Sequence, residues 1–349
     1  MTTRGIKFRF SFVDSFLWAV RIGAVIAIVV GIIGSVDKSI SGEGLTLSAW
    51  RDLVITGLSQ GSMYGLIALG YSMVYGVLGF INFAHGEVFM SGALVGFFVA
   101  DELASVGLWD DNPVLAIGIV MLVSMATSTL VAVLVERIAY RPLRGAPRLI
   151  PLITSIGMSF FLQYTFRGLF GGGIKSYPQA PESLRGNWSI FGVEILKTKA
   201  IVIVVAAIAM VALYQFVERT KTGRAMRAVA EDKEIAGLMG INVDRTIVTT
   251  FAVGGAMAGI AGTLWSLLFR QVFFFTGFLP GIKAFTAAVL GGIGNMVGAM
   301  LGGVSLGLFE SVGPQLVLDG LGVPAVSQLK DVVAFVALVL VLIFRPTGL

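Results

Sequence analysis

The chain contains no cysteine and a single histidine among its 349 residues. Structural disulfides and thiolate metal sites are therefore excluded. One histidine with few interior carboxylates forms no metal-ligand cluster, and no cofactor is expected. Charge is scarce as well: Asp, Glu, Lys and Arg make up 13% of the residues, against about 25% in an ordinary soluble domain. No Gly-x-x-x-x-Gly-Lys-Ser/Thr run occurs, so a phosphate-cradling loop of that kind is missing. The net charge is +5. Its basic residues sit in short stretches between apolar runs, which gives no nucleic-acid reading.

What is present is apolar. Hydrophobic residues make up 56% of the chain, and mean hydropathy is +0.91. Apolar segments fall near 16–36, 51–72, 86–100, 113–135, 149–170, 200–218, 246–269, 283–312 and 331–345. A bilayer-spanning helix needs roughly 20 residues. A membrane barrel is disfavoured, because its strands alternate and are about ten residues long. The fold class is an all-α polytopic membrane protein. Arg4, Lys7 and Arg9 precede an apolar run from Ile22 to Ile33. No small-x-small cleavage site follows, so this is a first transmembrane helix and not a signal peptide. Glycine is abundant, at 45 residues. Gly57, Gly61 and Gly65 recur at every fourth position, as do Gly294, Gly298 and Gly302, with Gly255 and Gly259 as a further pair. That spacing puts small residues on one helix face, where helices approach closely, within the chain or between subunits.

Loop charges set the topology. Residues 136–148 carry Arg137, Arg141, Arg144 and Arg148 against Glu136. Residues 219–245 carry Arg219, Lys221, Arg224, Arg227, Lys233 and Arg245. Both are cytoplasmic by the positive-inside rule, as is the N-terminus. The loop 101–112 holds Asp101, Glu102, Asp110 and Asp111 without Lys or Arg, which suits the outside. The mixed 171–199 connection joins it there by alternation. Nine simple spans would leave the C-terminus outside, against the basic Arg345. The conflict is removed if 283–312 is interrupted at Gly291-Gly292-Ile293-Gly294-Asn295. The expectation is eight to ten transmembrane helices, a discontinuous or re-entrant element near 283–312, and both termini in the cytoplasm.

The stretch Gly79-Phe80-Ile81-Asn82-Phe83-Ala84-His85-Gly86-Glu87 places an amide, an imidazole and a carboxylate between apolar segments. Lipid solvates none of them, so they must face protein or water. Gly79, Asn82, His85, Gly86 and Glu87 are candidates for a translocation path or a helix break. Val289-Leu290-Gly291-Gly292-Ile293-Gly294-Asn295 echoes Val77-Leu78-Gly79-Phe80-Ile81-Asn82, and adds Gly291, Gly292, Gly294 and Asn295 to the candidates. Paired interrupted segments in two halves of a chain point to a transporter's substrate path. His85 and Glu87 are separated by one residue and point in different directions on a helix, so an acid–base pair is disfavoured. Bracing of free backbone groups, lining of a path and proton coupling stay open. Lys283, Arg167 and Glu310 lie near span ends, and are expected to snorkel or to meet an opposite charge. The phenylalanines at 273–275 read as interfacial packing.

The segment 219–245 is dense in charge but carries apolar residues at Ala225, Val229, Ile235, Leu238 and Met239. Its parts on either side of Glu231-Asp232 form two short amphipathic helices, the second ended by Gly240. On the residues alone it is equally a docking element or a solvated connector.

This loop, with Glu234, Ala236 and Gly240, resembles the EAA loop of bacterial ABC importer permeases. Three segments resemble the LivH-type permeases of branched-chain amino acid ABC transporters. They are Tyr71 to Gly76 running into Ile81 to Glu87, Gly223-Arg224 through Ala230-Glu231-Asp232 to Gly240-Ile241, and Lys283 to Gly294. Arg141-Pro142 and Arg345-Pro346-Thr347-Gly348 match as well. The resemblance spans roughly 50–349. The first 45 residues add a hydrophobic helix that some members lack, and 171–199 departs from the pattern. The resemblance implies a single transmembrane permease domain over 1–349, with 1–45 as an extra helix and 219–245 as a cytoplasmic coupling loop. It implies Gly223, Arg224, Arg227, Glu231, Asp232, Glu234, Ala236 and Gly240 as the ATPase-coupling residues. It also implies partners: a second, LivM-like permease subunit, two cytoplasmic ATP-binding subunits and a periplasmic substrate-binding protein. The chain would be a non-catalytic subunit of the bacterial inner membrane that imports branched-chain amino acids. Other amino acids, urea or short amides are alternative substrates, and a stand-alone secondary transporter or channel is an alternative class. An intramembrane serine protease is disfavoured, since Ser91-Gly92 lacks a Gly-x-Ser-Gly setting.

Overall fold

The computed structural model describes residues 12–147, 149–190 and 193–345. Arg4, Lys7, Arg9, Arg148 and Pro346-Thr347-Gly348 lie outside the described residues. The helices are α1 (Phe12–Ser41), α2 (Leu47–Leu78), α3 (His85–Ser105), the single turn α4 (Leu108–Asp111), α5 (Pro113–Val135), α6 (Leu149–Phe170) and α7 (Lys197–Arg219). Then come α8 (Lys221–Glu231), α9 (Lys233–Leu238), α10 (Val243–Phe269), α11 (Phe278–Leu290), α12 (Met296–Gly313) and α13 (Lys330–Phe344). Strands are few: β1 (Lys175–Ser176), β2 (Asn187–Ile190), β3 (Val193–Leu196) and β4 (Gln271–Val272). β1 pairs antiparallel with β4, Lys175 opposite Val272, and β2 with β3, Trp188 opposite Ile195. Among the described residues, nine helices are long and apolar enough to cross a membrane. The chain is an all-α polytopic membrane protein.

Helix ends obey local chemistry. The Asn112 side chain accepts from Leu115 N ahead of Pro113, Asn242 accepts from Arg245 N, and Asn295 accepts from Gly298 N. Each satisfies a backbone donor that the first helical turn leaves free.

The most enclosed helices are α2 and α10, and small residues put them there. A Cβ on Gly61 would lie 2.8 Å from the Gly303 carbonyl oxygen, and one on Gly307 would lie 2.4 Å from the Gly61 Cα. Here α2 and α12 touch backbone to backbone, which no larger residue permits. Gly255 and Gly259 press in the same way on the Ser128 and Ser124 carbonyls of α5. Gly57, Gly61, Gly65, Gly255 and Gly259, with Gly298 and Gly302, therefore serve packing within this chain, whereas Gly294 lies in the turn before α12 and leaves that ladder one member short.

The N-terminal helix is peripheral. Its Gly31 and Gly34 rest on Val317 and Gly320, in the turn between α12 and α13. Arg21 donates to the Ile343 carbonyl (2.5 Å) and Lys38 to that of Asp319 (2.6 Å). Its remaining surface is largely exposed and apolar.

The segment expected to be interrupted near 283–312 is two helices that begin earlier, at Phe278. With 13 residues, α11 is about 20 Å long. That is short of a full span.

Candidate functional site

The first break starts where α2 stops. Gly79 has φ of +78° and donates its N–H to the Tyr75 carbonyl at 2.7 Å, a left-handed helix end that favours glycine. The chain then folds back, and His85 opens α3 beside Gly70, a residue well inside α2. A Cβ on Gly70 would come within 2.1 Å of His85 Nε2, so only glycine leaves room for the ring. Tyr71 meets the same imidazole edge-on at 4.9 Å.

Polar bonds hold this bend. Asn82 Oδ1 accepts from Ala84 N (3.1 Å) and from the Tyr140 hydroxyl (2.5 Å). Glu87 Oε1 accepts from Gln163 Nε2 (2.7 Å) and Ser159 Oγ (3.2 Å) on α6. Asn82, His85 and Glu87 are all buried, and the atoms His85 Nε2 and Glu87 Oε2 have no hydrogen-bond partner among the described residues. Gly86 presses on Gly277 and Gly281, at the start of α11. As the spacing implied, His85 faces α2 while Glu87 faces α6. The arrangement braces a junction of α2, α3, α6 and α11.

The second break is a turn. Gly292 and Gly294 have φ of +88° and +92°. The Gly294 N–H donates to Ser72 Oγ on α2 at 3.0 Å. Gly291 and Gly298 meet backbone to backbone across the turn. A small cavity of about 70 Å³ beside it is lined by Ser72, Gly76, Met226, Ala230, Gly294 and Met296. The turn of the second interrupted segment is thus brought against the 219–245 region, while Phe285 of α11 meets Tyr71 and Phe83 beside the first break.

That region folds as the two expected short helices. Thr220 Oγ1 caps α8 by accepting from Gly223 N (3.0 Å), and Asp232 Oδ1 caps α9 by accepting from Glu234 N (2.8 Å) and Ile235 N (2.9 Å). Gly223 sits against the Val217 backbone, where no side chain fits. Ala236 is buried, and Arg224, Arg227, Glu231, Asp232, Glu234 and Gly240 are exposed. Arg227 pairs with Glu218, and Lys233 Nζ reaches the Leu78 carbonyl at the end of α2 (3.3 Å). The apolar residues divide differently from a simple amphipathic face. Met226, Val229 and Ala236 are buried, whereas Ile235, Leu238 and Met239 project into the open. Nearby, Asp244 and Glu136 hold Arg144, and Asp244 also holds Arg141 at 3.0 Å.

Beside the middle of α2 lies a larger cavity of about 330 Å³, between α2, α10, α11, α12 and α13. Lys283 there meets Glu310 at 2.7 Å, the opposite charge that its sequence position called for, and also Asp331 at 2.7 Å. Arg167 instead lies over the rings of Tyr164 and Phe274.

Sequence reasoning missed Tyr140, Ser159 and Gln163. A signal existed for the last two: Ser155, Ser159 and Gln163 form a polar stripe at every fourth position of an apolar segment.

Comparison with known proteins covers about 85% of the chain. The family described as branched-chain amino acid transport system, permease component, matches residues 53–342. The permease protein BraD of a high-affinity branched-chain amino acid transport system from Pseudomonas aeruginosa is 45% identical over 305 residues, covering 85% of this chain and 94% of BraD. The LivH permease protein of Escherichia coli K12 is 42% identical over 301 residues, with 85% and 94% covered. A probable LivH of Methanocaldococcus jannaschii is 28% identical over 294 residues, with 81% and 87% covered.

Proposed function

The chain belongs to the permease components of branched-chain amino acid transport systems, and from that membership we propose that it forms the membrane channel of an ATP-driven importer for branched-chain amino acids. Its partners are a second, LivM-like permease, two ATP-binding subunits in the cytoplasm and a periplasmic binding protein. Its own sequence carries no phosphate-binding loop, so ATP hydrolysis belongs to the partners. The chain is one transmembrane domain of the inner membrane, with α1 added at its edge. Both termini and the α8–α9 pair face the cytoplasm, in keeping with the basic loops.

The observation that carries the reading is the form of α8 and α9. The pair is capped, seated on α7 and the end of α2, and tipped by exposed Ile235, Leu238 and Met239. An apolar tip on an otherwise charged loop suits a protein partner. Closure of the ATP-binding subunits would push this pair as a rigid body. Lys233 and the wall of the small cavity pass the movement to α2 and to the turn at Gly291, Gly292, Gly294 and Asn295. Gly79, Asn82, His85, Gly86 and Glu87 act as the braced joint that keeps α2, α3 and α6 together. The substrate path runs along α2, past Gln60, Tyr64, Ser72 and Gly76, since these residues line the cavities beside its middle and its C-terminal end.

Vesicles containing the assembled transporter test the reading. Leucine uptake is expected to require both ATP and the binding protein, and to be lost on deleting 224–240. Flux that is indifferent to ATP and binding protein would identify a stand-alone transporter instead.

A further inference from the structure

Most of the cavity beside Tyr64 has a wall of rings and aliphatic groups: Trp265, Phe269, Phe273, Phe275, Leu279 and Pro280. At about 330 Å³, it lies within the roughly 300–1,000 Å³ typical of small-molecule sites. Its polar corner is unusual for a membrane interior. Glu310 and Asp331 converge on Lys283, each 2.7 Å from the ammonium nitrogen. Lys283 and Glu310 are buried. Two carboxylates therefore share one buried ammonium, while Lys330 stands at the exposed rim.

A structural clamp joining α11, α12 and α13 would account for the two ion pairs. It leaves two features over. Glu310 Oε2 is buried without a hydrogen-bond partner among the described residues, although Glu310 lines open space. An unpaired carboxylate oxygen in such surroundings is costly unless a donor arrives. The second feature is the placement of two carboxylates on a single ammonium in the inner corner, facing an apolar aromatic wall, with Lys330 balancing the charge only at the rim. Charge and wall together match a molecule with an ammonium group at one end and a hydrocarbon side chain at the other. The Gln60 and Gln271 side chains and Lys330 line the same space and offer donors for a carboxylate.

We propose that this cavity is a transit site for a zwitterionic amino acid, in which Glu310 and Asp331 take the ammonium group and the Trp265–Phe269 wall takes the apolar side chain. The inference rests on the proposed amino-acid transport and adds to it a chemical filter inside the permease. Glu310 Oε2 accepts the first donor of the incoming ammonium, and Asp331 shares its charge between that group and Lys283. Rings close by add attraction for a cation. A fatty acid brings no N–H donor to Glu310, and a neutral amide brings a donor without the positive charge that makes the bond strong.

The test uses the complete complex with its ATP-binding subunits, solubilised without the binding protein. It is titrated with radiolabelled leucine, then competed with 3-methylbutylamine, which lacks the carboxylate, or with 4-methylpentanoate, which lacks the amine. The amine is expected to compete at least about ten-fold better than the acid, and E310Q to weaken leucine binding roughly ten- to hundred-fold while still co-purifying with its partners. D331N, whose native carboxylate is more exposed, is expected to lose less and serves if E310Q fails to assemble. Equal competition by the two analogues, absence of saturable leucine binding, or wild-type affinity in the variants overturns the site. Wild-type vesicles that show no leucine uptake with ATP and binding protein would overturn the amino-acid reading instead. Intact uptake with unaltered affinity in the variants would overturn only the site.

Discussion

The chain stops a helix after Val-Leu at Gly79 and again at Gly291, and the two stops are held by different forces. At the first, the chain re-enters the bundle, and buried polar side chains from other helices fasten it: Tyr140 on Asn82, and Gln163 and Ser159 on Glu87. At the second, the chain turns directly into α12, and backbone presses on backbone between Gly291 and Gly298. A short Leu-Gly signal ends a helix in both places. The course of the chain beyond each stop is set by residues farther away, four helices in one case and a pair of glycines in the other. The first break is therefore suited to rigidity. The second adjoins the α8 cavity and is suited to transmit movement.

Volume should separate the two most strongly. A Cβ on Gly298 would lie 1.8 Å from the Gly291 carbonyl oxygen, a backbone atom that cannot swing away, with the Asn295 side chain also at 3.1 Å. Gly298→Val is expected to cost more than about 4 kcal/mol and to leave little folded protein after detergent extraction. By contrast, a Cβ on Gly79 meets nothing within 4 Å, so Gly79→Ala is penalised only for its left-handed backbone. About 1–2 kcal/mol is expected there. Comparable melting of the two variants by thermal scanning would mean that backbone contact does not hold the second break.

The polar brace comes next in size. Glu87→Ala leaves Gln163 and Ser159 without their acceptor and is expected to destabilise by about 1–3 kcal/mol. Gln163→Ala should then add little on top of it. A double-mutant cycle on thermal stability is expected to give a coupling of about 0.6–1.7 kcal/mol, the range of hydrogen bonds inside membranes. A coupling of zero would remove Gln163 from the brace and make the first break as local as the second.

How much of this was legible depends on the range of each force. The apolar runs marked the spans, because span length is set by the bilayer and read within one segment. Asp232 and Gly240 marked the limits of α9, because caps act over three or four residues. His85 and Glu87 stood out as polar groups in apolar surroundings, but their partners did not. Tyr140 and Gln163 lie 58 and 76 residues away from the groups they bind. No local pattern says which of several polar side chains will fold against which. The same holds for Lys283, whose need for an opposite charge was readable, while its double engagement with Glu310 and Asp331 came from the packing of α13. The start of α11 at Phe278 was hidden for another reason. The chain from Phe269 to Gly277 returns toward Gly86 without a long apolar run to announce it.

The smallest expected effect on stability sharpens the comparison most. Ser72 Oγ accepts from Gly294 N at 3.0 Å and is the side-chain hydrogen bond from α2 to the second break. Ser72→Ala removes that bond without adding volume, and about 0.6 kcal/mol is expected in a thermal melt. If the turn is only a connector, transport should change as little as stability does. If it carries movement from α8 to α2, the loss belongs in the efficiency of coupling. Leucine moved per ATP hydrolysed, measured in vesicles, should then fall by a few-fold in Ser72→Ala while ATP hydrolysis itself continues. The matching change at the first break, Tyr140→Phe, removes the hydroxyl that binds Asn82 and should lower the melting temperature with an unchanged ratio of leucine to ATP. Reversal of the two results would exchange the roles of the breaks, making the braced bend the moving part and the glycine turn the fixed one.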